Sequence, residues 1–184
     1  MSAAGIFIAV VVAIAIGVAA LFNQLVQKRQ MTDNGWADID VQLKRRADLI
    51  PQLVATVKGY AAHERALFEE IAEKRSAAAA AGDDPSLRGA AESALSRPVN
   101  RVIALAENYP DLKANQNFLD LQRALADTED KIEMARRFYN GAVRELNTLV
   151  SSVPSNFVAG AFSITPRAYF EATEADRAVP KMGG

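Results

Sequence analysis

The sequence predicts an all-α protein: an N-terminal transmembrane helix followed by an elongated antiparallel bundle of three to four long helices. Three observations predict it. The chain opens on an uncharged apolar run, and a perfect 3-4 alternation of core positions runs from Phe118 to Val153. Half of the 184 residues are hydrophobic yet only 7% are aromatic, with alanine making up much of the difference. Such a composition suits long helices better than sheets.

The opening run is GIFIAVVVAIAIGVAALF, Gly5 to Phe22, and no charge appears before about Gln27. At 1.5 Å per residue it extends about 27 Å, enough with its flanks to cross a bilayer core. A cleaved signal peptide needs a basic leader, which MSAA lacks, and a small-residue cleavage site, for which Leu21 to Gln24 is bulky. Residues 1–30 are therefore expected to be an uncleaved anchor with a span of about 5–26. Lys28 and Arg29 follow the span, and Lys44, Arg45 and Arg46 lie within the window over which such charges count. The body is accordingly expected in the cytoplasm and the short N-terminus outside.

Residues 31–153 read as the long-helix body. Trp36, Asp40, Leu43, Ala47, Ile50, Val54 and Val57 fall on one 3-4 stripe, widened by Ile39 and Leu53, with Asp40 its polar member. Lys44, Arg45 and Arg46 lie mostly off that stripe and read as a solvated face. Pro51 removes a backbone donor, but the periodicity resumes after it. A kinked continuous helix is expected, running through AHERALFEEIAEKRSAAAAA to the turn GDDPS at 82–86. Over 31–81 such a rod is about 75 Å long.

A second helix is expected from about Ser86 to Asn108, kinked at Pro98. NYPDL then starts a third, with Pro110 presetting φ and Asp111 placing negative charge at a helix N-terminus. From Phe118 through Leu121, Leu125, Thr128, Ile132, Ala135, Tyr139, Ala142, Leu146 and Leu149 to Val153, this helix keeps a coiled-coil-like seam. Pro154 stops it. Residues 154–173 place four aromatic residues among small ones, with Ser155 positioned to cap a short turn. They read as a flap on the bundle end or against the membrane, and 174–184 are expected to be disordered.

Candidate chemistry is sparse. The net charge of -1 offers no basic field for nucleic acid, and the absence of cysteine excludes disulfides, thiol catalysis and cysteine-bound zinc. His63 stands in HERAL without the second histidine one turn on that a helical zinc motif requires. No phosphate loop or nucleophile elbow is present. Glu69-Glu70, Asp83-Asp84 and Glu129-Asp130 read as solvated or helix-end charges. No catalytic residue, metal-ligand set or cofactor is expected. One cluster asks for a role: Asn115, Gln116 and Asn117 are adjacent near a helix start, where Asn competes with the backbone. The reading is a structural clamp against the first helix, with Asp40, Arg45, Arg46 and Asp48 as its counterparts, since buried amides fix register. A ligand site between helices is the functional alternative.

Two blocks carry a family resemblance. GWADIDVQLKRRADLIPQLVATVKGYAAHE, residues 35 to 64, and ENYPDLKANQNFLDLQRALADTEDKIEMARRFYNGAVRELN, residues 107 to 147, resemble the LemA family closely, flanked by FNQLVQKR and VPSNFVAGAF. Ala124 and Asp130 stand where that family usually shows Glu and Asn. Leu146 replaces a tyrosine, Val153 a phenylalanine, and Ser163-Ile164 a Gly-Phe. The resemblance implies one N-terminal membrane helix and a helical body facing the cytoplasm, and it brings no catalytic residue. The expectation is a single-pass protein of the bacterial inner membrane acting as a non-enzymatic scaffold or interaction protein. It contacts membrane lipid through its N-terminal helix and binds protein partners of unspecified identity, with a homo-oligomer left open and no nucleic acid. The alternatives are a membrane-remodelling or lipid-binding protein, and an enzyme or metal-binding protein around His63.

Overall fold

A computed structural model describes residues 2–171, and every regular element among them is helical. α1 spans Ala3–Lys58, α2 Arg65–Ala80, α3 Pro85–Leu105, α4 Pro110–Lys113, α5 Gln116–Ser151 and α6 Ser155–Ala161, with a 3-10 turn at Ala106–Asn108. The expected all-α fold is present. The expected disordered tail, 174–184, lies outside the described residues.

The helix boundaries have local causes, and two differ from expectation. α1 passes through Pro51 without a break, as expected. It then stops at Lys58, where Gly59 and Tyr60 form a turn and the Tyr60 and Ala61 amides both donate to the Val57 carbonyl at 2.9 Å. The single rod expected over 31–81 is thus two helices. α3 begins as its sequence says it should. Pro85 takes the first position, and the Asp84 carboxylate accepts from the Ser86 and Leu87 amides at 2.9 and 3.0 Å. Gly82, at φ 65°, supplies the left-handed residue of the preceding turn. The third helix, expected to be unbroken from Pro110, is the short α4 and the long α5, separated at Ala114 and Asn115.

The seam of α5 is buried at Phe118, Leu125, Thr128, Ile132, Tyr139, Ala142 and Leu146 and half-buried at Leu121, Ala135 and Leu149; only Val153 is exposed. The body part of α1 buries the expected face at Ile39, Leu43, Ile50, Leu53 and Val57, leaves Trp36, Asp40, Ala47 and Val54 half-buried, and departs from expectation at Arg46. Arg46 occupies a core position rather than a solvated face. Counting apolar residues alone hid it, since a charge in the 4-3 series reads as a gap.

The chain falls into two compact units, and both α1 and α5 contribute residues to each. One unit comprises Met1–Trp36 and Arg137–Arg167. Its core is Leu25, Leu146, Val158, Ala159 and Ile164. α1 and α5 approach closely here, because a Cβ at Gly35 would lie 3.0 Å from Phe138 Cδ1 and 3.2 Å from Tyr139 Cα. Nearby, the Trp36 and Tyr139 rings pack at 5.7 Å between centroids. Ser155 does not cap α6 as expected. It is buried, and its hydroxyl donates back to the Leu149 and Ser152 carbonyls at 2.6 and 3.0 Å, satisfying the end of α5. The apolar N-terminal part of α1 is long and apolar enough to cross a membrane, and none of its most apolar eighteen-residue stretch is buried.

The other unit comprises Ala37–Arg136 with the described residues from Ala168 on. Its core gathers Ile50, Leu53 and Val57 of α1, Leu67, Phe68 and Ile71 of α2, and Leu95, Val99 and Val102 of α3 with Leu112, Phe118 and Leu125. α2 and α3 pack together as a hairpin. The segment after Ala168 lies directly on α3: Phe170 is buried, and a Cβ at Gly89 would sit 2.5 Å from the Glu171 carbonyl oxygen. Only glycine allows that approach.

Candidate functional site

The most heavily constructed polar site is the one built on Arg46. Its position in the α1 core stripe points the guanidinium at α3 and α5. One nitrogen, Nη1, donates to Glu129 Oε1 at 2.6 Å and to Ser96 Oγ at 3.0 Å. The other, Nη2, donates to the Glu92 carboxylate and to the Glu92 carbonyl, the latter at 3.3 Å. Arg88 Nε completes the carboxylate from one turn earlier at 2.9 Å, and Ser96 Oγ donates to the Glu92 carbonyl at 3.1 Å. Arg46 and Glu92 are both buried, whereas the Glu129 side chain is 46% exposed. Arg46 Nε has no partner among the described residues.

Burial by itself would lower the Arg46 pKa. The charges of Glu129 and Glu92, with their hydrogen bonds, outweigh burial and hold it above its ordinary value. The guanidinium is therefore permanently charged, and both of its terminal nitrogens are engaged. Such a group exchanges no protons near neutral pH; what it does is tie three helices together at one point. Two charges removed from water bring little net stability, but removing one partner strands the other at about 3–5 kcal/mol.

The remaining sequence candidates lie elsewhere. Asp40 accepts from Lys44 Nζ at 2.7 Å on its own helix. Arg45 is exposed and faces Asp127 at 3.6 Å. Lys131, hydrogen-bonded to Asp127 at 2.8 Å, holds that carboxyl below its ordinary value against a slight opposing effect of burial, and Arg45 adds to the pull. Asn115 is the N-cap of α5: its side-chain oxygen accepts from the Phe118 amide at 3.1 Å and its amide donates to the Tyr60 hydroxyl at 3.0 Å. Gln116 donates to Asp120 at 2.8 Å one turn along, and Asn117 is exposed on the same turn. Asn115 thus pairs with Tyr60 and its own helix start, while Arg46 pairs with α3 and α5. The expected clamp between these two groups is not the pairing that their side chains make.

His63 is exposed, with Nε2 2.8 Å from the Tyr109 hydroxyl. Among the described residues no group of three or more His, Asp or Glu side chains is arranged to hold a metal ion. Sequence reasoning missed Glu92, Ser96 and the inward reach of Glu129. The signal was there for Glu92, which sits in the α3 series Gly89, Glu92, Leu95, Val99, Val102 just as Arg46 sits in α1.

The chain is 22% identical over 175 residues to magnetosome protein MamQ 2 of Paramagnetospirillum magneticum, covering 82% of this chain and 64% of that protein. It is 21% identical over 148 residues to MamQ of Magnetospirillum gryphiswaldense, covering 67% and 54% respectively. It is 24% identical over 155 residues to protein LemA of Metamycoplasma hominis, covering 84% and 71%. The chain therefore spans somewhat under two thirds of the length of the MamQ proteins. A family model described as the LemA family matches residues 35–183, which takes in α2 to α6, the body part of α1 and the whole Arg46 network, and the chain belongs to that family.

Proposed function

We propose that this protein is a single-pass membrane protein whose helical body, on the cytoplasmic side, holds protein partners at the membrane and performs no reaction of its own. One observation carries the reading: the N-terminal part of α1 leaves Ile6, Phe7, Ile8, Val10, Val11, Val12, Ile14 and Ile16 exposed, each between 48% and 70%. Taking each such side chain out of water is worth about 1.5–3 kcal/mol, and a bilayer does so for all of them at once. Lys28 and Arg29, immediately after the span, support an inward-facing body. The polar groups of the body support a non-catalytic role, because Arg46, Glu92 and Asn115 are spent on joining and capping helices. The relatives' names, a magnetosome protein and protein LemA, specify no reaction.

The test is cross-linking in intact cells followed by affinity purification of the full chain, with residues 1–30 alone as the control. The full chain should retain a reproducible set of proteins that the anchor alone does not. Identical sets from both would overturn the partner reading. Release of the full chain from membranes by alkaline carbonate would overturn the anchor.

A further inference from the structure

α6 carries a surface that the span and the core do not explain. Val158 and Ala159 are buried with Leu25 and Leu146, whereas Val153, Phe157 and Phe162 are 74%, 71% and 53% exposed. The Phe162 ring lies 4.5 Å from that of Phe22, between centroids, at the end of the apolar run. Phe162, just past α6, thus packs against the end of the apolar run.

Directly past that contact the surface turns polar. Ser163, at φ 54°, reverses the chain after α6, so that Ser163, Thr165 and Arg167 line one open pocket of about 160 Å³ with Arg29. Arg167 is fixed there: its backbone amide donates to the Asn147 side-chain oxygen at 2.8 Å, and the Asn147 amide donates to its carbonyl at 2.9 Å. Asp33 accepts from Arg167 at 2.9 Å and stands 3.9 Å from Arg29, so two guanidiniums share one carboxylate and the pocket keeps a positive excess. Arg29 follows Leu25 by one helical turn, about 6 Å along the axis. That distance matches the headgroup layer, about 5–7 Å thick on each side of the hydrocarbon core.

We infer that this pocket seats the phosphate of an anionic membrane lipid, with Phe157 and Phe162 resting in the interface beside the span. The inference rests on the proposed anchoring. Two arginines and two hydroxyls supply charge-assisted donors to phosphate oxygens. The aromatic residues bury their rings at the level where amphipathic segments lie in a bilayer. Anionic lipids of the cytoplasmic leaflet are the phosphates within reach of a site at the inner end of the span.

The experiment uses the full chain in nanodiscs of phosphatidylcholine with and without phosphatidylglycerol. Native mass spectrometry then counts the lipids retained as the disc is stripped. The wild type should retain phosphatidylglycerol over phosphatidylcholine. Arg29→Gln with Arg167→Gln should reduce that preference by roughly fivefold per arginine removed. Asp33→Asn, which frees both guanidiniums, should increase it, and this second variant keeps the test meaningful if the first folds poorly. Equal retention of the two lipids by the wild type, or no change in either variant, overturns the inference. A saturable phosphorus-31 shift with inorganic phosphate but no lipid preference also overturns it, in favour of a soluble phosphate site. Failure of the chain to enter nanodiscs at all would count against the anchor instead.

Discussion

Adjacent residues in this chain can have opposite fates, and Arg45 and Arg46 are the sharpest case. Arg45 is exposed with a 3.6 Å ion pair, whereas Arg46 is buried and holds Glu92 and Glu129. Arg45→Glu should therefore shift the thermal midpoint little, since exposed pairs contribute about 0–1 kcal/mol. Arg46→Met should cost about 3–5 kcal/mol by leaving Glu92 buried without its main partner. Adding Glu92→Met should recover most of the loss, because Glu129 is half in water and Arg88, 13% exposed beside Glu92, has a stem long enough to swing its head to solvent. Urea titration of the three variants checks this; a double variant no better than the single would show that the network itself supplies stability. Glu145 offers a pH test. The hydrogen bond from Lys28, at 2.6 Å, and then its charge hold that carboxyl below its ordinary value near 4.5. A lowered folded-state pKa gives stability that is complete above 4.5 and is lost as pH falls through the folded value. Glu145→Gln should accordingly lower the melting temperature slightly at neutral pH, leave it nearly unchanged well below pH 4.5, and so flatten the fall between the two.

At the level of helices, the long α5 was legible because its core positions repeat without a slip, and ten of the eleven seam residues are buried or half-buried. α1 was legible across Pro51 and in most of its facing, since Ile39, Leu43, Ile50, Leu53 and Val57 are buried, but not at Arg46, where a buried ion pair interrupts the apolar count. The break between α1 and α2 was hidden for another reason: Gly59 and Tyr60 turn the chain within a stretch whose apolar periodicity continues on both sides. The break at Asn115 inverts an expectation. Read as a buried clamp, Asn115 and Asn117 replaced together by leucine should leave the fold intact or strengthen it. As the N-cap of α5, Asn115 satisfies the Phe118 amide, and leucine offers no acceptor. Asn115→Leu should cost about 0.5–2 kcal/mol, while Asn115→Asp should cost much less. Asn117→Leu alone, at an exposed position, should stay within about 0.5 kcal/mol. Circular dichroism melts of the three separate cap from clamp, since a clamp would make Asn115→Leu neutral or stabilising.

For the whole chain the proposed anchoring raises the question of which side of a membrane the body occupies, and the sequence allows a clean measurement. Lys28 and Arg29 directly follow the span, no charged residue precedes it, and the further cluster at Lys44, Arg45 and Arg46 adds to the same side. Each basic residue near the end of a span favours retention on the cytoplasmic face, so the bias predicts Ser2 outside and everything from Lys28 on inside. The chain has no cysteine, so a single introduced thiol reports its own location without background. Leu87, 62% exposed at the start of α3, and Ser2 are suitable positions that leave the cores untouched. In intact spheroplasts a membrane-impermeant maleimide should label Ser2→Cys at once and label Leu87→Cys only after lysis. Converting Lys28 and Arg29 to glutamine should weaken this asymmetry and yield a fraction of chains labelled at Leu87→Cys from outside. Labelling of Leu87→Cys in sealed wild-type spheroplasts would reverse the topology, and with it the expectation that the body's partners are cytoplasmic.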